Sequence, residues 1–295
     1  MSGKLKEVRD RIGSVKSTMQ ITSAMKMVSA AKLKKATDAI TDMRPYSDRL
    51  NMMLVNILSN LEGDASSKFG TARDVKKVGV VVITSSRGLC GGFNSNIVKE
   101  AIKRIDASGD SKEITIYFIG KKGYDGLKNK YPNATFNTDY LHLSSDLTFE
   151  NVATVAKALM HGFETESLDE IHVCYGQFKN AAVQYAQCVQ YLPVQKLETE
   201  DDEKASKMRA DYIFEPSKEK LLEQLIPSIL QTSFYKFTLD NQASEHGARM
   251  TAMDKATENG GEILKDLKIT YNKARQESIT KEILEIVGGA AALEN

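Results

Sequence analysis

The first stretch of the chain sets apolar residues at Leu5, Val8, Ile12, Val15 and Met19, steps of three and four that trace one narrow seam along a helix. Beyond Met19 the seam continues through Thr22 and Met25 to Val28 in steps of three, which slip the strict heptad and shift the contact face. Arg44-Pro45 is the first break the pattern predicts; Leu50, Leu54, Ile57, Leu58 and Leu61 then resume the stripe until Glu62-Gly63-Asp64 ends it. About 55 helical residues would extend roughly 80 Å, too long for the interior of a compact domain.

The middle of the chain changes period. Val78–Thr84 (VGVVVIT), Ile114–Gly120 (ITIYFIG) and Ile171–Tyr175 (IHVCY) are short runs rich in β-branched and aromatic residues, and the first two read as strands buried on both faces. Helices are predicted over Asn94–Ile105 and Asn151–Phe163, so strands alternate with helices as in βαβ units around a parallel sheet. Val183–Val194 alternates and adds a strand, and the acidic run Glu198, Glu200, Asp201, Asp202 and Glu203 reads as a solvated loop leaving the domain. After Glu215-Pro216 the helical pattern returns with Leu221, Leu222, Leu225, Ile226, Ile229 and Leu230, where Pro227 should break or kink it. Met250, Met253, Leu264, Leu267, Tyr271, Ala274, Ile279, Ile283 and Ile286 extend it almost to the end. Asn259-Gly260-Gly261 reads locally as a turn, which leaves one long helix or two open.

Neither terminal helix has a broad apolar face, and two narrow seams are most simply buried against each other in an antiparallel pair, with residue 15 expected beside residue 280. The fold expected is therefore α/β: a central Rossmann-like α/β domain over 74–205, with an N-terminal helix over 1–62 and a C-terminal helix over 216–295 forming a long antiparallel coiled coil.

Composition narrows the class. With 41% apolar and 27% charged residues in 295, the chain is neither disordered nor fibrous, and a net charge of +1 gives no global field for nucleic acid. No apolar run approaches the length of a membrane span, and the start (MSGKLKEVRDRIGSV) lacks the apolar stretch of a secretory signal. It is basic and amphipathic like a mitochondrial presequence, but the same periodicity continues far beyond it. Cys90, Cys174 and Cys188 form no CxxC pair, and His142, His161, His172 and His246 have no zinc spacing, so no metal site is expected; the missing membrane span and secretory signal point to a reducing compartment. Charge is unevenly spread, however. Residues 4–35 carry nine Lys and Arg against Glu7 and Asp10, a net +7 that suggests an acidic partner; a plain solvated face and a membrane-surface helix are the alternatives. The run Ser23, Ala24, Met25, Met27, Ser29, Ala30 and Ala31 favours a smooth contact surface.

Ser85–Asn94 (SSRGLCGGFN) lies between a predicted strand and a predicted helix, where α/β proteins hold phosphates. It matches neither GxxxxGK[ST] nor GxGxxG and lacks the lysine and the Mg²⁺-holding hydroxyl, so a nucleotide-binding enzyme using this loop is an alternative, not the first choice. Glycines 88, 91 and 92 suit a tight strand-to-helix turn. Cys90 near a helix N-terminus could be an activated thiol, but the sequence offers no identifiable His or acid partner, and a buried structural role is favoured. No Ser-His-Asp arrangement or carboxylate pair stands out, and no cofactor is expected.

Four stretches carry a resemblance. Gln20–Lys32 (QITSAMKMVSAAK), Arg87–Asn94 (RGLCGGFN), Ala243–Met253 (ASEHGARMTAM) and Tyr271–Ile283 (YNKARQESITKEI) are closely similar, in order, to the γ subunits of rotary F-type ATP synthases, and the resemblance covers essentially the whole chain. It implies a non-catalytic rotor shaft whose coiled coil turns inside a ring of three α and three β subunits, driven by a ring of membrane c subunits with proton or sodium flow. It implies ε and δ subunits in the same complex, and catalytic sites that belong to the partners. Met25 and Lys26 would meet an acidic segment of β, Arg275, Gln276 and Thr280 would make the C-terminal torque contacts, and Gly88, Leu89, Cys90, Gly91, Gly92 and Asn94 would face ε and the c ring. In the family the C-terminal helix runs through the position of Gly260-Gly261, so the turn reading should yield to packing there. The regulatory insertion of chloroplast members is missing and the start lies near that of bacterial members, so a peripheral protein on the cytoplasmic side of a bacterial inner membrane is expected. A coiled-coil scaffold with no motor role is the remaining alternative.

Overall fold

The computed structural model describes residues 3–59, 69, 73–109, 112–194 and 218–293. They form two compact units, Met1–Ser29 with Arg249–Asn295, and Ala30–Ala248. Helices α1 (Gly3–Ser59) and α5 (Lys218–Leu293) contribute to both. The predicted stop at Glu62-Gly63-Asp64, the acidic run at 198–203 and the start at Pro216 lie outside the described residues.

The central unit is built on β1 (Lys77–Ile83), α2 (Phe93–Ser108), β2 (Glu113–Ile119), α3 (Lys121–Leu127), β3 (Thr135–Asn137), a 3-10 turn (Leu141–Ser145), α4 (Phe149–Glu164), β4 (Glu170–Phe178) and β5 (Gln184–Leu192). The sheet order is β3-β2-β1-β4-β5; β1 pairs in parallel with both β2 and β4, β2 pairs in parallel with β3, and only β5 is antiparallel. The apolar run of β1 fills both faces as its composition required. Val78, Val80 and Val82 join Ile97, Ile105 and Phe118 beside α2 and α3, while Val81 and Ile83 join Val155, Leu159 and Phe163 of α4 on the other side.

α1 does not break at Arg44-Pro45. Proline there removes one helical hydrogen bond and crowds the preceding turn at about 3 kcal/mol, but Ile40 before it and Ser47 and Leu50 after it are buried, so packing on both sides holds the helix. α5 likewise runs through Pro227, where Ile226, Ile229 and Leu230 are buried in the core and the carbonyl of Leu230 accepts a 3.0 Å hydrogen bond from the Tyr191 hydroxyl.

In the terminal unit the two helices run antiparallel. Lys4 pairs with Glu277, the Arg9 guanidinium donates to the Tyr271 hydroxyl, Thr22 meets Thr257 at 2.7 Å, and Lys26 meets Asp254 at 2.5 Å. The two numbers of each pair sum to between 279 and 281, a constant antiparallel register. Residue 15 therefore faces the neighbourhood of residue 265, and the expected pairing of 15 with 280 is displaced by about four helical turns. The local turn reading at Asn259-Gly260-Gly261 is also overturned, since α5 is continuous there. A Cβ on Gly260 would stand 2.6 Å from Cγ of Met19. Close approach of the facing helix thus offsets the roughly 1 kcal/mol each glycine costs in a helix. Among the described residues no helix is long and apolar enough to cross a membrane.

Candidate functional site

In an open sheet of this kind a ligand crevice forms where the strand order reverses, here between β1 and β4, outside their C-terminal ends. The residues that close this crevice are Phe93, at the start of α2, and the polar residues Asn241 and Ser244 of α5. Gly176 of β4 lies two residues past the last β1–β4 pair, Val82 with Cys174, so its backbone pairs with Ala186 of β5 on one side and has no strand on the β1 side. Its N–H donates to Oδ1 of Asn241 at 3.0 Å, and its carbonyl accepts from Oγ of Ser244 at 2.9 Å, both buried. The helix side chains complete the ladder where β1 has ended, as buried backbone groups demand. Gly176 is required for this: a Cβ would stand 2.6 Å from the Phe93 ring and 3.2 Å from Cβ of Ser244. The place where nucleotide would sit is filled by the protein itself.

The loop between β1 and α2 is braced from within. The Ser85 N–H donates to Oδ1 of Asn94 at 3.0 Å, Nδ2 of Asn94 donates to Oγ of Ser85 at 2.8 Å and to Sγ of Cys90 at 3.1 Å, and the Ser85 hydroxyl donates to the carbonyl of Arg87. Cys90 and Asn94 are therefore struts, Cys90 buried in the core as its composition suggested. Gly88 is half-buried, and Leu89, Gly91 and Gly92 are turned outward. Leu89 combines φ 64°, a left-handed conformation costly for a bulky residue, with 65% exposure.

The remaining predicted contact residues fall in two separate places. Met25 is half-buried on α1, and Lys26 is tied to Asp254 of α5. Arg275, Gln276 and Thr280 are all exposed. Gln276 and Thr280, one turn apart, line a shallow groove of about 480 Å³ with Lys273, Glu277, Lys281 and Leu284, and Arg275 is not part of it. From Asp254 to Gln276 is 22 residues of helix, about 33 Å, so these two sets do not form one site.

Chemistry elsewhere is sparse. Arg104 and His172 both contact the Glu170 carboxylate at 2.9 Å, and burial together with Arg104 lowers the His172 pKa below the ordinary imidazole range. This keeps the ring neutral beside the cation. Among the described residues no group of three His, Cys, Asp or Glu could hold a metal ion. The sequence reading missed Gly176, Phe93, Asn241 and Ser244. The available signal was the presence of Thr238, Asn241 and Ser244 on one face of an otherwise apolar helical stripe. It also missed that Cys174 and Cys188, directly opposite on β4 and β5, are joined as a disulfide.

The profile of the ATP synthase family described as "ATP synthase" matches residues 4–293. The ATP synthase gamma chain of Flavobacterium johnsoniae is 54% identical over 290 residues, covering 98% of both chains. That of Geobacter sp. is 41% identical over 291 residues, covering 98% of this chain and 99% of the relative. Among solved structures, a chain of the Euglena gracilis mitochondrial ATP synthase (OSCP/F1/c-ring) shares the fold with a TM-score of 0.65 and 20% identity, over 99% of this chain and 95% of that one. A chain of the Tetrahymena thermophila mitochondrial ATP synthase central stalk and c-ring aligns with a TM-score of 0.54 and 25% identity, over 80% of this chain and 99% of that one. With a filled crevice, an antiparallel helical pair and similarity from end to end, the chain belongs to the ATP synthase γ-chain family.

Proposed function

We propose that this chain is the central stalk that carries rotation of a membrane c ring to the catalytic sites of an α3β3 ring, itself performing no chemistry. The observation that carries this reading is the outer surface of the terminal unit. Its seam is narrow, and apolar side chains remain outside it: Ile21, Met27 and Val28 on α1, and Ile279, Ile283, Leu284, Ile286 and Val287 near the end of α5, each 48–71% exposed. In the observed register, residues beyond about 277 have no described residue of α1 opposite them. Ile279, Ile283, Ile286 and Val287 recur at helical spacing, a stripe with the character of an interface.

In this reading the chain works as an N-terminal helix (1–62), an α/β domain (74–205) and a C-terminal helix (216–295). Met25 and Lys26 meet an acidic segment of β in one zone. Arg275, Gln276 and Thr280 meet β in a second zone some 30 Å along the helix. Lys26 divides its charge between Asp254 and that partner, and the exposed Lys6, Arg11, Lys16, Lys32, Lys34 and Lys35 supply the rest of the positive field. Gly88, Leu89, Cys90, Gly91, Gly92 and Asn94 form the loop toward ε and the c ring; Leu89 is its apolar contact, and Cys90 and Asn94 brace it. The δ subunit belongs to the same complex, on the cytoplasmic side of a bacterial inner membrane, where this chain is peripheral.

Affinity-tagged full chain should copurify with an acidic, ATP-hydrolysing α3β3 hexamer, whereas the chain alone should bind no Mg-ATP in calorimetry. A micromolar Kd for ATP, about −8 kcal/mol, together with no hexamer in the eluate, would replace the shaft with a nucleotide-binding enzyme.

A further inference from the structure

We propose that Cys174 and Cys188 are a reversible redox site, a thiol–disulfide exchange couple for a small disulfide of the glutathione class. Strands β4 and β5 set the two residues directly opposite each other, with Cα atoms 3.9 Å apart, so their thiols lie within reach of each other. The two differ in access. Cys174 lies in the buried β4 with no exposed surface, whereas Cys188 is half-buried on β5, the edge strand that has a ladder neighbour on one side only. Cys90, the third cysteine, is buried beside Asn94 and has no cysteine partner.

The exchange balances as two steps. The Cys188 thiolate attacks one sulfur of glutathione disulfide, forming a mixed disulfide and releasing one glutathione. The Cys174 thiolate then attacks the Cys188 sulfur, forming the intramolecular disulfide and releasing the second glutathione, with two protons lost from the protein thiols and taken up by the two glutathione thiolates. In a reducing compartment the resting form is the dithiol, so the couple closes when the thiol pool is oxidised.

Closure ties β5, one of the two edge strands, covalently to its single ladder neighbour β4. The disulfide links residues 14 apart and encloses the β4–β5 turn. That turn lies against α5, where a Cβ on Gly247 would be 3.3 Å from Cα of Ala181 and from Nε2 of Gln184. Two residues beyond Cys174, Gly176 is held by Asn241 and Ser244 of the same helix. The oxidation state of the pair thus acts on how firmly the sheet edge is fixed where it rests on α5.

The test uses the full chain within its assembled complex. After incubation with millimolar glutathione disulfide, and separately with dithiothreitol, free thiols are alkylated under denaturing conditions and counted by mass spectrometry. The expected result is loss of two of the three alkylatable thiols on oxidation, a cross-linked peptide pair containing Cys174 and Cys188, and full recovery with dithiothreitol in the folded complex. Amide exchange in residues 184–192 should slow only in the oxidised sample. Cys90→Ser should still lose both remaining thiols, and Cys188→Ser should give no intramolecular cross-link. Three alkylatable thiols after oxidation, a lasting glutathione adduct on Cys188 without the cross-link, or a disulfide that dithiothreitol does not open in the folded complex would each overturn the proposal. The wild-type samples decide it even if a variant fails to fold.

Discussion

In the central unit, β1 and β4 are enclosed on both faces, and Val78, Val80, Val81, Phe118 and Ile171 expose no surface. In the terminal unit, among the described residues, only Leu5, Thr22, Ser29, Arg249, Met253 and Ala274 are buried, and three of these six are polar or charged. One region is made stable by a core shared among a sheet and its covering helices; the other has a seam one side chain wide. A surface that must slide past partners cannot also be consumed in its own core. The terminal helices therefore make do with a few close contacts and leave apolar residues on the outside.

The largest expected effect tests that contrast. Phe118, whose ring meets Tyr124 edge-on at 5.6 Å and Phe136 at 5.8 Å, should lose about 3–5 kcal/mol of stability as Phe118→Ala. Val15→Ala in the half-buried seam should lose about 1 kcal/mol. Urea unfolding of the full chain measures both, and equal losses would mean that the terminal seam is a core like the other.

Next comes the closed crevice. Asn241→Ala or Ser244→Ala leaves one buried backbone group of Gly176 without its partner, at a cost of about 1–3 kcal/mol each. Both residues serve a single glycine, so the double variant should cost less or more than the sum of the singles. Strict additivity in denaturant midpoints would show that the two bonds act independently.

Asp240 sharpens the comparison by pH. Burial pushes its carboxyl up to about 6, against the opposing pull of Lys236 and Arg44. Because the folded protein holds this proton more tightly than the unfolded chain, the resulting stability is fully present below about pH 4 and is lost as pH rises through about 6. Asp240→Asn should accordingly stabilise the chain by about 1–2 kcal/mol near pH 8 and scarcely at all near pH 4. A gain that does not change with pH in thermal melts would mean that the carboxyl titrates normally.

The smallest effects concern two adjacent glycines. Gly260→Ala drives a methyl to within 2.6 Å of Met19 Cγ, and overpacking of about 1–3 kcal/mol should exceed the roughly 1 kcal/mol gained in helix propensity. Gly261→Ala meets only Met19 Cε, at 3.7 Å, and should stabilise by up to about 1 kcal/mol. Melting temperatures that rise for both would show that the facing helix approaches less closely than described.

These glycines also show where sequence reading ran out. Helical periodicity and the strands of β1, β2 and β4 were legible because their causes are local: seams in steps of three and four, and runs of β-branched residues. The reason Gly260 sits in a helix is Met19, 241 residues earlier, and no local rule contains it. α3 (KKGYDGL) was missed because two glycines argue against a helix, and β3 because three residues carry no period. The Gly176 site was only half legible for a similar reason, since Asn241 and Ser244 mark a polar face of their helix but nothing local names Gly176, more than 60 residues away, as their partner. The loop at 85–94 was legible as a turn, but which of its residues face outward depends on the Asn94 hydrogen bonds.

The central claim is that rotation passes through the outer face of the terminal helices. The direct measurement is the ratio of ATP-driven ion pumping to ATP hydrolysis in reconstituted complexes carrying the double substitution Gln276→Ala and Thr280→Ala, with assembly verified by gel filtration. Loss of two polar contacts at about 1 kcal/mol each should leave assembly intact and lower the ratio by about tenfold or more, since each 1.4 kcal/mol is a factor of ten. A wild-type ratio in fully assembled complexes would contradict the account and make Gln276 and Thr280 ordinary helix surface.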